Sequence, residues 1–236
     1  MPAAVRTCTI GMASLNVRAW LALAILALVM GLLVFVPAGT VDYWQAWLYF
    51  ATFFGGGALL TLYLMKTDPV LLERRMKGGP TAEQRPAQRM IMTGTSLCFI
   101  ALIVVPAFDR RYAWSSIPAL VVLAGDVLVA VGFYFIFLVY RENTFTAATI
   151  QVVADQKVVS TGPYAIVRHP MYASGLLYLL GTPIALGSYW GLIPFVCLVP
   201  FLIWRLFDEE QLLGETLRGY REYQQKVRHR LVPGVW

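Results

Sequence analysis

The chain has 236 residues, 58% of them hydrophobic and 14% charged, against roughly 25% charged in an ordinary soluble domain. With a mean hydropathy of +0.64, its apolar mass exceeds what a globule of this size encloses, which excludes a water-soluble fold and makes lipid part of the solvent. The formal charge of +6 reads as loops facing an anionic leaflet, not as a nucleic-acid surface, because the basic residues alternate between connections.

Apolar runs long enough to cross a bilayer, about 20 residues each, follow in order. Ala19–Val36, Tyr43–Met65 and Met90–Phe108 carry no charge, and Trp114–Tyr140 carries only Asp126. Met171–Leu186 and Ser188–Trp204 come next, separated by a Gly187-Ser188 turn. They predict a tight hairpin, with Pro183, Pro194 and Pro200 placed to kink it. The first run is longer than the apolar core of a signal peptide and no A-x-A site follows before Asp42, so it is read as a retained helix.

Six spans are therefore expected. With the N-terminus inside, seventeen Lys and Arg fall on the cytoplasmic side and two, Arg110 and Arg111, outside. The positive-inside rule then places both termini in the cytoplasm. Pro69–Met76 in the second connection is amphipathic and expected in the interface. Asp208–Trp236 reads as one helix, with Leu213, Leu217, Tyr220 and Val227 on a face and Pro233 as its stop. The expected architecture is an all-α integral membrane protein. Residues 1–140 form a four-helix transmembrane region, and residues 141–236 form a loop, hairpin and C-terminal helix making a cytoplasmic cap.

Chemistry concentrates in the last hundred residues. Cys8, Cys98 and Cys197 have no metal-ligand or disulfide spacing, and His169 and His229 are the only histidines, so no metal site is expected. In Ser160–Tyr172, the Gly162-Pro163 turn leads to Arg168-His169 held against Pro170. Proline disfavours helical backbone at His169 and suits the first position of the next helix. Arg168 and His169 beside the free amides of a helix start make an anion-binding corner, or a basic anchor at the membrane surface.

The second cluster, Arg205 through Asp208-Glu209-Glu210, follows the sixth span. Arg205 and Glu209 share a helix face, either as an internal ion pair or as a guanidinium and carboxylate for a ligand. A tight hairpin brings the two clusters together. Asp126 lies deep in the fourth span with no cationic partner at its depth, and is expected to hydrogen-bond between helices. Tyr43, Trp20, Trp44, Trp47, Trp114, Tyr189, Trp190 and Trp204 read as interfacial belts. Gly55-Gly56-Gly57 reads as a close helix contact.

Gly162-Pro163-Tyr164, Arg168-His169-Pro170-x-Tyr172, Glu209-Glu210 and a tail Tyr220-x-x-Tyr223 with Pro233, in that order, resemble the isoprenylcysteine carboxyl methyltransferase family. That family is related to the membrane phospholipid N-methyltransferases. The resemblance covers residues 141–236 and implies an integral membrane methyltransferase using S-adenosylmethionine held at the cytoplasmic face. It implies that Tyr164, His169, Pro170, Met171 and Tyr172 line the cofactor pocket and that Gln156, Lys157, Val158 and Val159 wrap the cofactor. Gln151 would match a family glutamine, Glu209 the cofactor-binding glutamate and Arg205 the substrate-side arginine.

Elementary chemistry agrees with those roles. Arg168 or His169 suits the cofactor's carboxylate, and Glu209 or Glu210 its amino or ribose hydroxyl groups. A carboxylate acceptor is already ionised near pH 7 and needs no base, and Arg205 would orient it. An amine acceptor needs a base, for which Glu210 or Asp208 would serve. The acceptor is expected to be a lipophilic or lipidated molecule entering from the bilayer, with membrane lipids as neighbours and no nucleic acid partner. The alternatives are a phospholipid or amine N-methyltransferase, an NADPH-dependent enzyme like the sterol reductases, and a small transporter or scaffold.

Overall fold

The computed structural model describes residues 3–83, 85–146, 148–149 and 156–236, and every regular element among them is helical. The expected Gln151 position lies outside the described residues. Eight α-helices follow in order: α1 Ala3–Ala38, α2 Trp44–Thr67, α3 Pro69–Met76, α4 Pro86–Tyr112, α5 Ala119–Glu142, α6 Pro170–Ala185, α7 Leu192–Thr216 and α8 Tyr220–Lys226. Single 3₁₀ turns lie at Pro80–Ala82 and Gly162–Ala165.

Among the described residues, four helices are long and apolar enough to cross a membrane: α1 from Ser14, α2, α4 and α5. The other two expected spans differ in kind. Helix α6 has 16 residues, about 24 Å at 1.5 Å per residue, short of a hydrocarbon core about 30 Å thick. Helix α7 has 25 residues, but its C-terminal half carries Arg205, Asp208, Glu209, Glu210 and Glu215. The exposed surface is rich in Leu, Ile, Val and Trp, including Leu28, Leu32, Leu59, Leu120 and Val196, as expected of a membrane protein whose outer face meets lipid.

Small residues set the tightest packing. A Cβ at Gly125 of α5 would come within 2.4 Å of the Ala185 backbone nitrogen, and one at Gly132 within 2.9 Å of the Tyr178 nitrogen. On α6, a Cβ at Gly181 would sit 2.6 Å from the Gly125 carbonyl oxygen. Helices α5 and α6 therefore pack backbone to backbone. Of the expected triple-glycine contact, only Gly56 requires its missing side chain, against the Phe133 ring at 2.7 Å; nothing lies near Gly55. Helix α4 seats against α7 in the same way, with the Phe201 ring over Gly94.

The far end of the hairpin is pinned by a polar knot. Asp109, 1% exposed, accepts hydrogen bonds from the Ser115 amide and hydroxyl and from the Ser188 hydroxyl. Gly187 makes the turn at φ +74°. Tyr43, expected in an interfacial belt, is instead buried, its hydroxyl donating to the Leu186 carbonyl. The other belt residues, among them Trp44, Trp47, Trp114, Tyr189 and Trp190, are exposed.

Three local expectations are revised. Helix α3 forms over Pro69–Met76 with Asp68 capping the Leu71 amide at 2.9 Å, yet Leu71 and Leu72 pack into protein, on Leu64 and Ile136, instead of facing lipid. The single C-terminal helix is broken. Helix α7 runs on to Thr216, Gly219 turns at φ +86°, α8 covers Tyr220–Lys226, and the chain ends without helix well before Pro233 would stop one. The expected apolar face survives the break, since Leu213, Leu217, Tyr220, Tyr223 and Val227 form one cluster with Val158 and Tyr164. Asp126 is buried as expected, but both carboxylate oxygens lack a hydrogen-bond partner. The neighbouring Thr52 hydroxyl is spent on the Leu48 carbonyl at 3.1 Å.

Candidate active site

One cavity of about 590 Å³ opens where the polar ends of α5, α6 and α7 meet α8 and the segment before Gly162. Its polar end is lined by the 156–159 run, Tyr164, the 168–172 run and Glu209, with Arg205 at its edge. These are twelve of the fourteen residues singled out from sequence. Gln151 lies outside the described residues, and Glu210 does not line the cavity. The cavity continues between α4, α6 and α7 along Met92, Phe99, Ile100, Leu179, Leu198 and Leu202. It thus joins a charged, hydrogen-bonding end to an apolar limb.

The local reasons for this geometry were partly visible in sequence. His169 is the N-cap of α6 at φ −122° and Pro170 its first residue, as the Arg-His-Pro order predicts. Tyr172, one turn in, donates its hydroxyl to Glu209 Oε2 at 2.5 Å, so α6 and α7 meet through this pair. Asn143 at the end of α5 donates to the Tyr164 hydroxyl at 2.9 Å, and the Tyr223 hydroxyl donates to the Tyr164 carbonyl at 2.7 Å. Burial pushes the Tyr164, Tyr220 and Tyr223 hydroxyls well above their ordinary range. They are neutral donors at any physiological pH.

The Arg168-His169 corner lines the cavity and is partly occupied by the chain's own tail. The C-terminal segment runs along it, with the Arg168 amide donating to the His229 carbonyl at 2.9 Å and the His169 amide to the Arg230 carbonyl at 3.0 Å. Arg168 Nη1 donates to the carbonyls of Val227 and Arg228, both at 2.9 Å, and Nε to Glu210 Oε1 at 2.7 Å. These bonds take three of the five guanidinium N–H donors and leave the two on Nη2.

Glu210 differs most from its expected role. It is 7% exposed and lies 3.2 Å from His169 Nε2, with Arg230 Nε 3.0 Å away on its other oxygen. Burial works to raise its pKa, but the hydrogen bonds from His169, Arg168 and Arg230 outweigh it and bring the carboxyl down to about 2. A carboxyl held this low by its partners has little tendency to take a proton, and Glu210 does not line the cavity. It is the counter-ion that folds the tail onto α6.

Arg205 pairs with a residue that sequence reasoning missed. Its expected intrahelical partner Glu209 is turned to Tyr172. Arg205 Nη1 donates instead to Glu83 Oε1 at 2.9 Å and Gln88 Oε1 at 2.8 Å, and Nη2 to the Ala148 carbonyl at 3.0 Å. No sequence signal marks Glu83 and Gln88, which precede Arg205 by more than a hundred residues. Among the described residues no group of His, Cys, Asp and Glu has the arrangement to hold a metal ion.

Residues 120–218 match the family model described as phospholipid methyltransferase, a range that holds the Arg168–Tyr172 run, Arg205 and Glu209. The chain is also 26% identical over 132 residues to the probable protein-S-isoprenylcysteine O-methyltransferase of Oryza sativa subsp. indica, and equally to that of subsp. japonica. These matches cover 53% of this chain and 64% of each rice protein, so the chain spans less than two thirds of the length of these relatives. Over these residues the chain is similar to the phospholipid methyltransferase family model and to the rice isoprenylcysteine O-methyltransferases.

Proposed function

We propose that this protein is an integral membrane methyltransferase that uses S-adenosylmethionine and methylates a carboxylate on an isoprenylated or other lipophilic substrate. The observation that carries the reading is the single cavity joining Glu209, Tyr172 and Tyr164 to the apolar limb between α4, α6 and α7. A reaction between a polar cofactor and a lipid-borne acceptor needs those two environments in one continuous space.

The residues present fit such a cofactor. Glu209 keeps acceptor capacity beyond its bond to Tyr172, which suits an ammonium or ribose hydroxyls. Tyr164 and the Val158-Val159 run offer the flat, apolar surface that an adenine ring needs. When bound, S-adenosylmethionine supplies a methyl group on a positively charged sulfur, open to in-line displacement. The chain's part is then positioning. Arg205 orients an anionic acceptor, and the apolar limb holds its tail and excludes water that would blunt a carboxylate nucleophile.

Carboxylate methylation is favoured over amine methylation by the state of the acids. An amine acceptor must lose a proton, yet Glu210 is ion-paired at about 2, and Asp208 is held by Arg85 at 2.9 Å and by Gln88. Neither is placed to take it. In the membrane, the α6–α7 hairpin is read as an apolar pair embedded beside the four long spans, shorter than the hydrocarbon core and bringing the membrane helices to six, with both termini on the cytoplasmic side where the basic connections lie.

Calorimetric titration of the detergent-purified protein with S-adenosylhomocysteine, with NADPH in parallel, tests the reading. Micromolar binding of the first alone, abolished by Glu209→Ala in protein that stays folded, is expected. Binding of NADPH alone would replace the methyltransferase by a reductase.

A further inference from the structure

The connection between α3 and α4 and the first turn of α4 lie outside the region matched by the methyltransferase family, yet they supply two buried polar side chains to Arg205. Glu83 is 2% and Gln88 0% exposed. Burying an ionic and hydrogen-bonding group of this kind is costly unless every member is satisfied, and here each member is tied to another element. The Pro80–Ala82 turn carries Glu83, whose own carbonyl accepts from Arg89 Nε at 2.8 Å. Gln88 in the first turn of α4 bridges, accepting from Arg205 and donating to Asp208. Arg85 closes the chain on Asp208 at 2.9 Å. The guanidinium is thereby fixed in orientation, not merely neutralised.

A guanidinium has five N–H donors. Glu83, Gln88 and the Ala148 carbonyl take three, which leaves two for the cavity and the Tyr172 hydroxyl beside it. The charge is also set. Arg205 faces an arriving anion with Glu83 in contact behind it and Glu209 nearby, so its pull on a carboxylate is moderated.

We infer that Glu83 and Gln88 are positioning residues that clamp Arg205 for the acceptor, with the Glu83 charge limiting affinity for an anionic one. The inference rests on the methyltransferase reading above. A fixed donor pair aims the acceptor oxygen at the methyl carbon, where a displacement of about 1 Å can cost roughly a hundredfold in rate. The partial cancellation of charge keeps the anionic acceptor from being held more tightly than the transition state, in which the carboxylate is already losing its charge.

The test uses full-length protein in detergent with N-acetyl-S-farnesylcysteine as the acceptor probe and S-adenosylhomocysteine titration as the check on folding. Glu83→Gln keeps an oxygen for Arg205 Nη1 but removes the charge, and should lower KM for the probe severalfold with kcat reduced no more than about twofold. Gln88→Leu removes the bridge and should lower kcat about tenfold or more, with S-adenosylhomocysteine affinity within threefold of the unmodified protein. That split, KM falling in one variant and kcat in the other, is what a packing role would not produce. Both variants matching the unmodified enzyme in KM and kcat overturns the clamp. So does loss of S-adenosylhomocysteine binding in parallel with activity, since that is a structural effect. Unmodified protein that binds S-adenosylhomocysteine but leaves the probe unmethylated overturns the carboxylate acceptor itself, and the clamp's role with it.

Discussion

Replacing Glu210 by Gln tests the assignment of this acid to the architecture and not to the reaction. Two guanidiniums and an imidazole meet its carboxylate, Arg168 at 2.7 Å, Arg230 at 3.0 Å and His169 at 3.2 Å, and hold it at about 2 instead of the ordinary 4.5. At about 1.4 kcal/mol per tenfold change in proton affinity, that difference is worth about 3 kcal/mol of folding free energy at neutral pH. Glutamine preserves the shape but presents an amide to donors that need an anion, so most of this stabilisation should disappear. For a chain of this size, that corresponds to a Tm lower by roughly 6–12 °C, read by scanning fluorimetry in detergent at pH 7.5.

The sign with pH follows from the direction of the shift. A carboxyl held below its unfolded value contributes stability that is complete above about pH 5 and drains away as the pH falls from 4.5 toward 2. The unmodified protein should therefore lose Tm between pH 5 and 3 more steeply than Glu210→Gln, and the two curves should converge at the acid end. A variant within 2 °C of the unmodified protein at pH 7.5, or one with a parallel acid limb, would refute the account of Glu210 as the ion-paired hub of the tail.

Tyr172→Phe removes the hydroxyl that Glu209 accepts at 2.5 Å, and S-adenosylhomocysteine affinity measured by calorimetry should fall about tenfold, the scale of a hydrogen bond to a charged group. Gly125→Val puts side-chain atoms where the Ala185 backbone nitrogen lies 2.4 Å from a Cβ; overpacking of about 2 kcal/mol or more should appear as a fall in Tm or in the yield of monodisperse protein. Asp126→Asn touches neither the cavity nor an ion pair, so methyl transfer should be unchanged and Tm equal or higher, and a loss of activity would assign it a role the geometry does not. Deleting residues 227–236 removes the carbonyls that hold Arg168, and should abolish S-adenosylhomocysteine binding while the helical circular dichroism signal stays.

Much of the site was legible because its signals are local. Proline after His169 dictates a helix start at residue 170 whatever surrounds it, and the 4-3-7 spacing of Leu213, Leu217, Tyr220 and Val227 marks residues that share a buried face even though Gly219 breaks the helix between them. The long uncharged runs determined by themselves that the chain is helical and lipid-facing, since backbone groups in hydrocarbon must be paired within the segment. Charge pairing was not legible. Which of three consecutive acids faces a ligand depends on a rotation of about 100° per residue along α7 and on where the tail returns. Only the folded chain decides that Glu209 meets Tyr172 while Glu210 meets Arg168, His169 and Arg230. The same holds for Arg205, whose partners Glu83 and Gln88 come from the connection before α4 and its first turn, where there is no motif, brought in because α4 seats its Gly94 against Phe201 of α7. Local sterics and hydropathy act over a few residues and can be read along the chain, whereas a buried ion takes its partner from whichever element tertiary packing leaves beside it.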